Sequence, residues 1–269
     1  MISKLLTPGS LLFASLLCAP VHAQWLNQLD PHVPRDKNGK PNLAAPAPKT
    51  ADGKPDLSGV WIRREGPNAP PNSAGLGFSL KWFMPKNEEI PMRPAALEIY
   101  KPRAARDGGG RPSESCLPHG VPGAMMPPTP FKFVQTPGLT LILYETWVDF
   151  RQIFTDGRKL PETQQPSWYG YSIGHWEGET FVVETKGFND QVWLDGLGLP
   201  HSEDLKITER FQRLSVGHLR MDGTVDDPKM YTKPWNFTMD FNLIHDSDLI
   251  EYICENEKDS KHYAGQSGH

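Results

Sequence analysis

The stretch Trp168-Tyr-Gly-Tyr-Ser-Ile-Gly-His-Trp-Glu-Gly-Glu-Thr-Phe-Val-Val-Glu-Thr185 reads as a single β-hairpin. Two alternating runs flank Glu177-Gly178, and glycine tolerates the positive φ that tight hairpin turns demand. By the period-2 rule Tyr169, Tyr171, Ile173 and His175 share one face of the first strand, so aromatic surface and a titratable imidazole project together. That face is either a pocket wall or the half-buried filling of a sheet.

The same grammar extends on both sides of the hairpin. Runs near 131–136, 139–147, 150–156, 205–214, 217–226, 235–244 and 248–255 alternate, with Pro137-Gly138, Asp156-Gly157 and Gly217 as punctuation and almost no helical periodicity. With the Gly59-Val-Trp61 island this predicts an all-β fold: one antiparallel barrel or curled sheet of about 8–10 strands. From Asp30 to Pro130 the chain is dense in Pro and Gly and predicts a long irregular wrap, broken by a short helix around Pro94 to Tyr100.

Residues 1 to 23 have the plan of a signal peptide: Lys4, an apolar core from Leu11 to Leu17, and the small-residue spacing Val21-His22-Ala23. The expected organisation is a leader (1–23), an extended arm (24–55) and one barrel domain (56–265), with a periplasmic or secreted location. The apolar run is far shorter than the roughly 20 residues a membrane span needs. Loss of Lys4 moves the formal net charge from −4 to −5, which argues against a nucleic-acid partner. Cys116 and Cys254 then remain, an even count for an oxidising compartment, and are expected to pair. A bridge across 138 residues would contribute about 4 to 5 kcal/mol in the chain-entropy account.

Alternation also points to inward polar groups. Glu209 falls on the face of Leu205, Ile207 and Phe211, and Glu251 falls between Leu249 and Ile253; Arg151 and Arg210 are the available counter-charges. Each carboxylate faces solvent while a different face is buried, forms a structural ion pair, or is an acid whose pKa burial raises toward catalytic use. The longest break in the strand pattern, 187–203, reads as a lid or binding loop and holds Asn189, Trp193, Asp195 and His201. There His201 is a candidate general base, oriented by Asp195 or Glu203. The remaining histidines lack metal-ligand spacing, Gly108-Gly-Gly110 lacks the strand and helix of a phosphate loop, and Gly170-Tyr-Ser-Ile-Gly174 sits within a strand, not at a nucleophile elbow. No metal or organic cofactor is expected.

Segments Cys116-Leu-Pro-His-Gly-Val-Pro122, Phe150 to Arg158, Trp168 to Thr185, Gly187-Phe-Asn189, His201-Ser-Glu203, Thr208-Glu-Arg210, Tyr231 to Trp235 and Glu251 to Asn256 resemble a large family of exported bacterial proteins of unassigned function. The resemblance spans about residues 56 to 265; the family often carries Arg where this chain has His175, whereas His201 keeps its context. Gly59-Val-Trp61 is similar to the opening of lipocalin-like (calycin-like) barrels, which implies a small hydrophobic or aromatic ligand in the barrel mouth.

Two functions follow from these readings. The first is a cofactor-independent acid–base enzyme, a lyase, isomerase or cyclase, with His201, Asp195, Glu209, Arg151 and Tyr171 carrying the chemistry. Trp168, Tyr169, Trp193, Asn189, His175 and Tyr144 would then contact the substrate. The second is a periplasmic lipocalin-like carrier that uses the same aromatic surface and performs no reaction.

Overall fold

The computed structural model describes residues 29–70 and 79–254; the leader expected over 1–23 lies outside the described residues. Nine strands close a barrel in sequential order: β1 (Gly59–Arg63), β2 (Phe131–Thr136), β3 (Leu139–Tyr144), β4 (Phe150–Phe154), β5 (Tyr171–Glu177), β6 (Thr180–Lys186), β7 (Lys206–Ser215), β8 (His218–Asp226) and β9 (Trp235–Leu243), with β1 paired to β9. The one α-helix among the described residues, α1 (Pro94–Ala104), begins on Pro94, where a missing N–H costs nothing. The all-β barrel expected from alternation is the observed architecture.

An odd ring cannot alternate direction all the way round, so one junction must be parallel. That junction is β4–β5, where only Ile153↔Ser172 and Phe154↔Ile173 pair, and residues 155–170 carry the chain back along the barrel. The expectation of uniform antiparallel pairing is corrected here. So is the strand near 248–255: β9 already has β8 and β1 as neighbours, and a closed barrel has no free edge to receive another strand. Among the described residues, up to Cys254, the tail's strand-like pairing is the isolated bridge Thr146↔Tyr252, and Glu251 is exposed, not inward. The β5–β6 turn is displaced by one residue from the expected dipeptide: Glu177 pairs with Thr180, leaving Gly178 and Glu179 at the tip, Gly178 at φ 61°.

Short turns define a lower end of the barrel. The N-terminal arm crosses it: Leu43 and Ala45 accept from Gly217 and Val216, and Arg213 donates to the carbonyls of Asp56, Ser58 and Val216 while its guanidinium lies 4.9 Å from the Trp61 ring. The long connections 64–130, 187–205 and 227–234 gather at the upper end. Cys116, in the first of these, lies at disulfide distance from Cys254, with Cα atoms 5.5 Å apart.

Between the ends the barrel is filled. Trp61, Phe131, Phe133, Phe211 and Phe241 are all fully buried, so most of the lumen is a packed core, not a ligand chamber. Gly223 belongs to this packing: a Cβ there would lie 2.2 Å from Cζ of Phe237. Gly223→Ala is expected to cost about 1–3 kcal/mol by overpacking, read as a lower denaturation midpoint at an unchanged m-value.

Trp147 and Val148, at φ 62° and 54°, form the β3–β4 turn with two consecutive left-handed residues, one of them β-branched. Val148 is more than half exposed, so Val148→Asn removes little burial and should stabilise by about 0.5–1 kcal/mol through relief of backbone strain. Urea denaturation checks this; an unchanged midpoint would show that the turn is unstrained.

Candidate functional site

Below the upper end, four adjacent strands bring polar side chains to one point. Arg151 (β4) forms a two-pronged pair with Glu209 (β7), Nη1 to Oε1 at 3.1 Å and Nη2 to Oε2 at 2.5 Å. Its Nη2 also donates to Thr185 Oγ1 at 2.7 Å and its Nε to Ser172 Oγ at 3.1 Å. Glu209 faces inward with Ile207 and Phe211, as alternation requires. Both its oxygens are occupied and its side chain has no exposed surface, so it stands as half of a structural ion pair. Tyr144 sits beside the pair, where burial raises its phenol above the ordinary range. It stacks on Tyr169 at 5.7 Å, and Tyr169 donates to Asp149 at 2.9 Å. This cluster is fully engaged.

Above it lies a cleft of about 320 Å³ between α1, the 187–203 connection and the β8–β9 loop. The loop is held down by Phe188, Val192, Leu194 and Leu199, all buried. His201 lines the cleft and is 4% exposed. Its Nδ1 lies 2.9 Å from the carbonyl of Ser202, which assigns the proton to Nδ1 and leaves Nε2 an acceptor. Nε2 is buried without a protein partner. Burial lowers the imidazole pKa, which favours the neutral ring with its lone pair on Nε2.

The group that organises His201 is not the expected one. Neither Asp195 nor Glu203 bonds to it; Asp227 does the work indirectly, accepting from the N–H and the hydroxyl of Ser202 at 2.6 and 2.9 Å. Asp227 is 1% exposed and was not among the residues the sequence singled out. Arg103, which also lines the cleft, was missed because helix α1 comes from a different part of the chain.

Asp195 instead nucleates its own loop. Oδ1 accepts from the N–H groups of Leu197, Gly198 and Leu199, and Oδ2 from Leu80 at 3.1 Å. Burial outweighs these four donors and pushes its pKa up to about 6. It borders a second, smaller cavity of about 40 Å³ with Trp193 and His119, whose pKa burial lowers to about 4. A carboxyl raised on folding adds stability below its unfolded pKa of about 3.9, and that stability is lost as pH rises through about 6. Relative to Asp195→Asn, the wild type should therefore lose on the order of 2–3 kcal/mol between pH 4 and pH 7. Urea unfolding of both proteins at the two pH values measures it, and a constant gap would contradict the burial-dominated shift.

The other expected site residues scatter. Tyr171 and His175 point to the outer wall, because Ser172 is the inward residue of β5; Tyr171 stacks on Phe154 and accepts from Arg158 at 2.9 Å, and His175 lies 3.2 Å from Glu177. The face they share is the solvent side of the sheet, which corrects the pocket-wall reading. Arg210 likewise points outward and pairs with Glu177. Asn189 caps Gln191 N–H at 3.2 Å, and Trp168 is half-buried just before β5. Trp193 serves as the platform for Arg103, whose guanidinium carbon is 4.3 Å from the indole centroid. Comparison of the chain with protein-family models, curated proteins and solved structures gives no significant match, so the functional argument stands on the cleft's own chemistry.

Proposed function

We propose that this protein is a small-molecule enzyme that works by acid–base chemistry in the upper cleft, with His201 as the general base. The observation that carries the reading is the His201 ring itself: Nδ1 tied to a backbone carbonyl, Nε2 buried and unpartnered, the ring bordering a cleft of about 320 Å³. A buried acceptor without a hydrogen bond costs on the order of 1–3 kcal/mol, and such a cost is retained where a ligand supplies the donor. Nε2 takes a proton from the substrate, and the imidazolium returns it to another substrate atom or to a leaving group. Lyase, isomerase and cyclase reactions all fit that balance. Asp227, through Ser202, keeps the ring in the basic tautomer.

The packed lumen weighs against a carrier with a lipocalin-type chamber, and the apolar residues Ile99, Val192 and Met230 on the cleft wall favour a partly hydrophobic substrate. An exported location agrees with a Cys116–Cys254 bridge. The test is incubation with metabolite pools followed by mass spectrometry. A changed compound supports the enzyme, whereas enrichment of an unchanged one supports a binding protein.

A further inference from the structure

Arg103 lines the cleft and has no part in its acid–base chemistry. It sits in the last turn of α1, stacked on Trp193 at 4.3 Å, and donates Nη1 to the carbonyl of Gly198 at 3.2 Å. Gly198 is needed for that approach: a Cβ there would lie 2.6 Å from Cβ of Arg103. The guanidinium is thus fixed from two sides by the same loop that carries His201.

Its charge is not neutralised. Arg151 pairs with Glu209, Lys206 with Glu184, and Lys229 with Asp204 at the mouth of the cleft, whereas Arg103 has no carboxylate partner among the described residues. Burial lowers its pKa with no opposing anion. Arg213 gives its N–H groups to four backbone carbonyls, and Arg63 gives two and feels the charge of Glu65. Arg103 gives one, and lines an open cleft. Its field also reaches His201, where it favours the neutral ring.

We infer that Arg103 is the anchor for the carboxylate of a small organic acid whose apolar body lies against Ile99, Val192 and Met230. A planar fork already pinned by an aromatic platform loses little entropy on pairing with a carboxylate. Asp190 and Glu203 also line the cleft and repel a dianion, which favours a carboxylate over a phosphate. The inference rests on the reading of this cleft as a small-molecule site and names the substrate class for it.

Titration calorimetry with the intact protein tests it, using phenylacetate, phenylacetamide and phenyl phosphate as probes. The expected result is that phenylacetate binds at least about tenfold more tightly than phenylacetamide and than phenyl phosphate. Arg103→Gln should remove that preference, with near-ultraviolet circular dichroism confirming an intact loop. Equal affinity for acid and amide in the wild type, tighter binding of the phosphate, absence of phenylacetate binding, or an unchanged preference in Arg103→Gln overturns the anchor. The wild-type comparison stands even where the variant is misfolded. The two proposals fail separately. His201→Ala retains phenylacetate binding if only the base assignment is wrong or only chemistry is lost, whereas turnover of an uncharged substrate with no acid preference leaves the base and removes the anchor.

Discussion

His201→Ala is expected to lower turnover by about 10² to 10⁴ while leaving the fold intact. The ring contributes one edge contact to Phe188 at 5.9 Å and one hydrogen bond to Ser202, so its removal takes little from the core. What it does take is the buried acceptor Nε2. Asp227→Asn should give a smaller loss with a distinct signature, because the carboxylate makes no hydrogen bond to the ring and acts on it through Ser202 and through its charge, which raises the imidazole pKa. Its turnover should fall through kcat more than KM, with a shifted pH–rate profile. Since burial lowers the His201 pKa, the wild-type rate should rise with pH as the imidazolium deprotonates and level off below the ordinary histidine value. Near-normal turnover by His201→Ala removes the base assignment.

The largest expected stability effect lies one layer deeper. Glu209→Ala leaves Arg151 charged and buried with the neutral groups of Ser172, Thr185 and Tyr144 as partners, and should cost about 3–5 kcal/mol. The same loss is expected for Arg151→Ala. Replacing both, as Arg151→Met with Glu209→Leu, should recover most of it, because a buried pair contributes little beyond an apolar pair of similar volume once desolvation is counted. Chemical denaturation of the three variants measures the coupling. Additive losses in the double variant would show that the two side chains act independently, contrary to their two-pronged geometry.

The pair also shows how far alternation carries. Its inward position was legible at Glu209 because a period of two places every second residue on one face, and Leu205, Ile207 and Phe211 identify that face. The identity of its partner was legible as one of two arginines; β4 geometry, with Arg151 in and Phe150 and Gln152 out, selects between them. In β5 the same rule misled, since aromatic Tyr171 and Ile173 suggest the buried face, while small Ser172 and Gly174 are the residues that point in. The lumen there is already taken by Phe181, whose ring would lie 2.6 Å from a Cβ at Gly174. Only the opposing strand could reveal that.

Periodicity and turn residues by themselves determined the class of fold, the eight strands after residue 130 to within a few residues, the pairing of Cys116 with Cys254 and the loop that bears His201. These are properties of neighbours in sequence, or of a cysteine count of three of which Cys18 falls in the expected leader. Tertiary structure alone decided the closed ring, its parallel β4–β5 junction and the absence of a strand over the described residues 248–254, because closure is a condition on the whole sheet. It also decided the cleft. Arg103, His201 and Asp227 lie about a hundred and about thirty residues apart, and what brings them together is the burial of α1 and two loops against the upper end of the barrel, a packing effect with no local signature.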